Sequence, residues 1–171
     1  MDKLEMMNVV YVDYKNKDFQ DLCVKLDEFQ NNIVPARVNL GFTALAGLAN
    51  LHDILMVYDG KIPIACASLK KSGETSAEVA RVYTDEAYRG QGIGTMLMIE
   101  LEKIAAERGY KKLTLDTWKK SAGARALYAK MGYVEIPMFD IPTLRNLFSI
   151  DDDGKLKQIQ DLLVFMEKEI N

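Results

Sequence analysis

The segment Tyr88-Arg-Gly-Gln-Gly-Ile-Gly-Thr95 has glycine at three alternate positions, between a strand-like run at 78–84 and a helix-like run at 96–108. Glycine lets the backbone curl where a strand gives way to a helix, and it leaves the amide N–H groups uncovered. The first turn of the helix adds further unpaired N–H groups and the positive end of the helix dipole. The sequence therefore predicts an anion-binding loop, and two linked phosphates suit it best.

Two other phosphate-binding loops do not fit this segment. A dinucleotide-binding loop follows the pattern G-x-G-x-x-G, and the position of its last glycine is Thr95 here. A nucleoside-triphosphate loop ends in Gly-Lys followed by Ser or Thr, and the chain has no such run. A glycine-rich turn without a ligand is the plainer alternative.

The motif Arg89-x-x-Gly92-x-Gly94 resembles the [QR]-x-x-G-x-[GA] pyrophosphate loop of the GNAT superfamily of N-acetyltransferases. Three further segments resemble, in order, the strand before that loop, the next strand, and the late helix with its turn: 81–90, 112–117 and 124–133. The resemblance covers about residues 54 to 138 and is loose in the N-terminal third. The order and spacing of the motifs make it specific.

The hydrophobic pattern predicts short strands joined by turns, with Asp59-Gly60 as a hairpin turn. Strands are predicted at 8–14, 54–58, 62–69, 77–84 and 113–117, with a last one beginning at 133. Helices are predicted at 19–29 with Asp18 as cap, at 96–108 closed by Gly109, and at 121–131 closed by Gly132, with a short helix and loops at 31–50. This order, together with the resemblance, predicts an α/β (α+β) fold with a mixed, mostly antiparallel sheet and helices on both faces.

The segment 140–171 is predicted to be a C-terminal extension of a single domain that spans 1–171. Pro142 is expected to end the last strand, and Asp151-Asp-Asp-Gly154 to begin a helix. One apolar stripe is expected along that helix, at Leu156, Ile159, Leu163, Met166 and Ile170. The stripe favours a helix packed on its own domain. A homodimer contact, or a lid over the acceptor site, is the alternative.

Composition and net charge limit the classes of partner that the chain is expected to bind. The net charge of −3 argues against nucleic acid, which is usually bound by a basic face, and no apolar run reaches the 18 residues of a membrane span. Cys23 and Cys66 lie in apolar contexts and suggest neither a disulfide framework nor a metal site. We therefore expect a cytoplasmic protein that binds no nucleic acid, membrane or metal.

The resemblance implies acetyl transfer from acetyl-CoA, as cosubstrate, to a small-molecule or peptide amine. It gives Tyr128 the role of general acid toward the coenzyme sulfur, which suits a phenol whose pKa lies near 10. Glu78 is the candidate general base, because some members of the family carry a strand glutamate at this distance from the loop. A bound water relayed to other polar groups is the alternative to Glu78, and a surface position is the plain reading of its side chain.

The resemblance also implies the residues that bind the coenzyme. The pantetheine arm is expected beside Val82, Tyr83 and Thr84, with the Val82 N–H near the thioester oxygen, and Ser121 at the start of the late helix. The pyrophosphate is expected on the loop, with cationic support from its first residue: Arg89, Gly90, Gln91, Gly92, Ile93, Gly94 and Thr95. Strand alternation places Glu78, Ala80, Val82 and Thr84 on one face, and Val79, Arg81 and Tyr83 on the other.

Ser121 departs from the family pattern, which has asparagine at this position. Serine can cap the helix and donate one hydrogen bond, but it lacks the second group of an amide. Two other functions are therefore kept open beside the transferase. One is a non-catalytic module that binds acyl-CoA or a partner, and the other is a nucleotide enzyme, which lacks a lysine at the loop and a carboxylate pair for magnesium.

Overall fold

The computed structural model describes residues 7–33 and 47–171. The strands are β1 (Asn8–Val12), β2 (Leu51–Asp59), β3 (Ile62–Lys71), β4 (Ser76–Thr84), β5 (Lys112–Trp118), β6 (Val134–Ile136) and β7 (Leu163–Glu169). The α-helices are α1 (Lys17–Ile33), α2 (Ile93–Glu107), α3 (Ala122–Lys130), α4 (Ile141–Phe148) and α5 (Asp153–Leu162). Within these ranges no helix is both long and apolar enough to cross a bilayer.

The strands of this part of the chain form one sheet in the order β1-β2-β3-β4-β5-β7-β6. Neighbours pair antiparallel except β4 and β5, which run parallel. The predicted hairpin turn is present, with Asp59 paired to Ile62 and Gly60 at φ 61°. The predicted mixed, mostly antiparallel sheet with helices on both faces is confirmed.

The two faces of the sheet carry different helices. Leu55 and Val57 of β2 belong to a core with α2 and α3, whereas Ile54 and Met56 belong to a second core under α1. On β5, Leu115 again faces the α2 core, and Phe165 of the neighbouring β7 packs with α4 and α5. Helix α1 and the α4–α5 pair therefore share one face of the sheet, over different strands.

The C-terminal stripe is not one helix. Helix α5 ends at Leu162, and Leu163 and Met166 lie on β7, which inserts between β5 and β6. The physical reason is the run Leu163-Val-Phe-Met166, whose consecutive apolar residues suit a strand that is buried on both faces. All five residues of the predicted stripe are buried within the chain.

Several predicted element ends are wrong. Helix α1 is capped by Asn16, whose Oδ1 accepts from Phe19 N at 2.9 Å, while Asp18 accepts from the Tyr58 hydroxyl at 2.8 Å. The strand predicted from residue 133 spans only Val134–Ile136. Pro142 lies in the first turn of α4, where the absent N–H costs nothing. Of the segment predicted at 31–50, residues 34–46 lie outside the described ranges, and Leu48–Asn50 form a 3-10 turn.

Candidate active site

The glycine loop joins β4 to α2 through two left-handed residues, Gly90 at φ 73° and Gly92 at φ 84°. The first hydrogen bond of α2 runs from Met96 N to Gly92 O at 3.0 Å. Among hydrogen bonds between described residues, none uses an N–H group of residues 90–95 as donor. A row of backbone donors at the positive end of a helix suits an anion. Binding of a diphosphate there stays a prediction.

Side chains of the loop fasten it to its neighbours. The Nε of Arg89 donates to Thr84 O at 2.9 Å, and its guanidinium lies 4.3 Å from the centre of the Phe29 ring. The Nε2 of Gln91 donates to Ala87 O at 3.3 Å. The cation of Arg89 thus braces the loop against β4 and α1, in addition to any support it gives to a bound phosphate.

Gly94 sets the distance between α2 and α3. A Cβ atom at this position would lie 2.9 Å from Cδ2 of Leu127. Only glycine lets the two helices approach this closely without a shift of the leucine. The close contact brings the second half of α3 beside the first turn of α2.

A cleft opens between the two parallel strands in front of the loop. Their pairing is limited to Ser76↔Lys112, Ala77↔Leu113 and Glu78↔Thr114. Beyond Glu78, β5 continues to pair with β7 on its other side, as far as Trp118↔Leu163. The segment Val79–Thr84 therefore has an edge without a strand partner, and an extended ligand with amide groups can pair there. Val82, Tyr83 and Thr84 lie on this segment.

A bulge in β4 shapes this edge. Ser68↔Ala80 is followed by Cys66↔Tyr83, so β4 carries one residue more than β3 across this step. Arg81 has φ 56°, and its Nη1 bonds Asp27 of α1 at 2.9 Å. The extra residue reverses the alternation of side chains. Consequently Val79 packs under α2 while Tyr83 packs under α1, and the prediction that they share a face is wrong.

Tyr128 of α3 is buried, with 6% of its surface exposed. Its ring packs edge-on against Tyr133 at 6.0 Å between centroids. Among the described residues, the hydroxyls of Tyr11, Tyr58, Tyr88 and Tyr110 bond side chains, and that of Tyr128 does not. Burial raises the pKa of Tyr128 well above its usual value, and the charge of Asp116 raises it further. The phenol therefore stays protonated at neutral pH and can donate a hydrogen bond.

Ser121 occupies the N-cap position of α3, but its side chain makes no capping hydrogen bond. Its carbonyl accepts from Arg125 N at 3.0 Å. The prediction that its hydroxyl caps the helix is therefore wrong, since φ −79° and ψ 71° differ from the usual extended cap geometry. The coenzyme contact at Ser121 stays a prediction.

Glu78 faces a second carboxylate that the sequence did not reveal. Asp116 lies two residues beyond Thr114, the parallel partner of Glu78, so both side chains leave the same face of the sheet. Burial raises the pKa of Glu78, an effect that Lys70 opposes. Burial and the charge of Glu78 raise the pKa of Asp116 to about 7. The signal that could have found it is a polar alternation on a central strand, Leu113-Thr-Leu-Asp116.

The Asp116→Asn variant should be more stable than the parent at pH 8. Because the folded-state pKa lies above the usual 3.8, folding binds a proton between pH 4 and pH 7, and the stability from this group falls as pH rises through that window. At 1.36 kcal/mol per pKa unit, asparagine should gain on the order of 2–4 kcal/mol at pH 8. Urea unfolding measured from pH 4 to pH 8 checks this. A constant difference across the range would contradict the raised pKa.

His52 is the second residue of β2 and is half-buried. Its Nδ1 lies 2.6 Å from Asp53 Oδ2, and its Nε2 lies 3.3 Å from the Tyr110 hydroxyl. Asp53 also accepts from Arg108 at 2.6 Å. Because β2 and β4 run in the same direction, this cluster lies at the end of the sheet opposite the glycine loop.

A groove of about 640 Å³ begins at the glycine loop and follows the outer side of α2. Its lining is Val9, Tyr11, Gly92, Thr95, Met96, Ile99, Glu100 and Lys130. The ammonium group of Lys130 gives this wall one positive charge near the loop. The groove therefore offers room for a ligand that extends beyond the diphosphate, and it does not reach Tyr128 or Asp116.

The sequence model of the acetyltransferase (GNAT) family matches residues 13–133. A probable glucosamine 6-phosphate N-acetyltransferase 2 of Oryza sativa subsp. japonica is 34% identical over 104 residues, which cover 55% of this chain and 61% of the rice protein. The chain therefore spans less than two thirds of that relative.

Solved structures share the fold over nearly the whole chain. An acetyltransferase of the GNAT family from Staphylococcus aureus has a TM-score of 0.69 at 15% identity, covering 96% of this chain and 99% of its own. A Bacillus subtilis acetyltransferase in complex with CoA has a TM-score of 0.65 at 16% identity, with the same coverage of 96% and 99%. At 15% and 16% identity, the similarity to these structures shows a shared fold only.

Proposed function

Because this chain belongs to the acetyltransferase (GNAT) family, we propose that it transfers the acetyl group of acetyl-CoA to a primary amine by direct attack in a ternary complex. The observation that carries the proposal is the parting of β4 from β5 after three residue pairs, directly in front of the glycine loop. A diphosphate on the loop and an amide-containing arm along β4 would follow one continuous path. Coenzyme A has both parts in that order.

The residues along this path fit acetyl-CoA. The N–H groups of residues 90–95 would hold the pyrophosphate, and Val82, Tyr83 and Thr84 would pair with the pantetheine arm. Ser121 lies at the start of α3 and Tyr128 on its buried side, and both would contact the coenzyme in this proposal. Acetyl-CoA supplies an activated acyl group, so no side chain of the protein needs to carry the acetyl.

Three groups of the chain would then act on the reaction. The Val82 N–H would donate to the thioester oxygen as negative charge develops there. Tyr128 would donate a hydrogen bond to the departing sulfur, and its raised pKa favours this over complete proton transfer. Glu78, directly or through a water, would help to remove a proton from the amine. That help matters, because deprotonating an ammonium of pKa 10.4 at pH 7 costs about 4.6 kcal/mol.

The test is release of free thiol from acetyl-CoA over a panel of amines. The panel contains a polyamine, an amino acid, an aminoglycoside, a peptide with a free N-terminus and a lysine-containing peptide. It also contains glucosamine and glucosamine 6-phosphate, because one relative is named for the latter. We expect amine-dependent thiol release and an N-acetylated product by mass spectrometry.

If no amine causes thiol release, the binding of acetyl-CoA decides between two conclusions. Tight binding of acetyl-CoA in calorimetry, without thiol release for any amine, would support the non-catalytic acyl-CoA-binding module instead. Absence of acetyl-CoA binding would reject both functions. Glucosamine tested against its 6-phosphate isolates the effect of an anionic group on the acceptor, since the reacting amine is the same.

A further inference from the structure

Two carboxylates, Glu78 and Asp116, lie on the face of the sheet that α1 and the α4–α5 pair share. Asp116 pairs with Phe165, which belongs to the α4–α5 core, and Glu78 pairs with Lys70 and Thr114 on the same side. In the part of the chain that the structure describes, neither carboxylate forms an ion pair or a side-chain hydrogen bond. Neither is therefore needed to hold the fold together.

The register places Asp116 nearer than Glu78 to the proposed reaction centre. Both strands run toward the glycine loop, and Glu78 is level with Thr114. Asp116 is two residues further along, which advances it by about 6.6 Å at 3.3 Å per residue. That step brings it past the last paired residue of β4, into the open part of the cleft and toward the level of Val82.

Tyr128 supplies an independent observation at the same place. It approaches from the α3 side of the sheet and is buried, with 6% of its surface exposed. The charge of Asp116, and not that of Glu78, acts on its phenol. Asp116 is therefore the nearer of the two carboxylates to the Tyr128 phenol, and the two side chains belong to opposite faces of the sheet beside the opening between β4 and β5.

We propose that Asp116 is the group that takes the proton from the acceptor amine, and that Glu78 acts on the reaction through Asp116. The inference rests on the proposed acetyl transfer and revises the part played by Glu78 in it. Asp116 accepts one proton from the ammonium and passes it to water. The neutral nitrogen then forms the C–N bond while the C–S bond breaks. The second nitrogen proton ends on the thiolate, which Tyr128 stabilises by its hydrogen bond.

The groups around Asp116 make it suited to this step. Burial and the charge of Glu78 raise the pKa of Asp116 to about 7, and Lys70 opposes the rise. A general base is most effective when its pKa lies near the working pH. An isolated, exposed carboxylate would be too weak a base at neutral pH.

The experiment measures kcat against pH at saturating acceptor, for the best amine of the panel. The parent should show an acidic limb near pH 7. Asp116→Asn should lower kcat by about 100-fold, whereas Glu78→Gln should lower kcat by about 10-fold or less and move the acidic limb down by about one pH unit. Glu167→Gln is the matched control, because Glu167 pairs with Thr114 on the same face but forms its own ion pair with Lys112 at 3.4 Å. Glu167→Gln should change neither kcat nor the pH of the acidic limb.

The opposite pattern, with Glu78→Gln inactive and Asp116→Asn active, would overturn the proposal and leave acetyl transfer intact. The proton affinity of Asp116 can be checked without turnover, by ¹³C NMR titration of the carboxyl groups in the protein saturated with coenzyme A. A pKa near 7 that falls in Glu78→Gln supports the proposal. A pKa below about 5 overturns it, even if no amine on the panel is consumed.

Discussion

The Gly92→Glu variant should lose at least about 100-fold in affinity for acetyl-CoA, which corresponds to about 2.7 kcal/mol. Gly92 is the cap of α2 and the centre of the row of free N–H groups. A carboxylate there stands against the two phosphates, and one pair of like charges at 4 Å costs about 4 kcal/mol near a protein surface. Isothermal calorimetry with acetyl-CoA measures the loss.

The control for backbone strain is Gly109→Glu at the other end of the same helix. Gly109 has φ 86°, close to the 84° of Gly92, and a Cβ atom there has open space. Both variants should lose stability by a similar amount, on the order of 1–2 kcal/mol for a left-handed non-glycine residue. Only Gly92→Glu should lose the coenzyme. Normal affinity of that variant would show that the loop does not bind the diphosphate.

The Tyr128→Phe variant should lower kcat by about 10- to 100-fold and change the affinity for acetyl-CoA by less than about threefold. In the proposed reaction the hydroxyl acts on the sulfur as negative charge develops, so its loss should affect the transition state more than the bound substrate. A hydrogen bond to a charged group contributes about 1.5–3 kcal/mol, which sets the expected range. Steady-state kinetics and calorimetry, run on the same preparations, separate the two effects.

Tyr133→Phe is the matched control for that measurement. The two tyrosines pack edge to face, and both are buried. The Tyr133 hydroxyl lies beside Glu102, away from the proposed sulfur position. Its removal should leave kcat unchanged. If Tyr133→Phe and Tyr128→Phe reduce kcat equally, the loss reflects packing of the aromatic pair, and Tyr128 has no role at the sulfur.

Local sequence was sufficient to predict the backbone wherever a short segment determines its own conformation. Gly60, Gly109 and Gly132 end their elements at positive φ as the pattern predicted, because only glycine adopts that backbone without strain. The loop at 88–95 was predictable for the same reason. The element ends that were wrong are those where a neighbouring side chain could serve equally well, as with Asn16 in place of Asp18 at the cap of α1.

Pairing between distant segments could not be predicted in this way. The run at 163–166 is apolar on both faces, and its Leu163 and Met166 also fit the helical spacing of the preceding segment. Its position in a strand between β5 and β6 was therefore decided by pairing in the sheet. The reversal of side-chain alternation at Arg81 could not be predicted from local sequence either. It depends on one extra residue opposite β3 and on Asp27 of α1, more than fifty positions away.

The sequence by itself therefore determined the family-like loop, the strand before it and the helix after it, since these follow from glycine and from hydrophobic period. Only the tertiary structure decided the surroundings of the two candidate bases. Glu78 and Asp116 are 38 positions apart and belong to separate motifs. They meet because β4 and β5 pair for three residues and then part, and a carboxylate's pKa depends on the burial and charges that such a meeting creates.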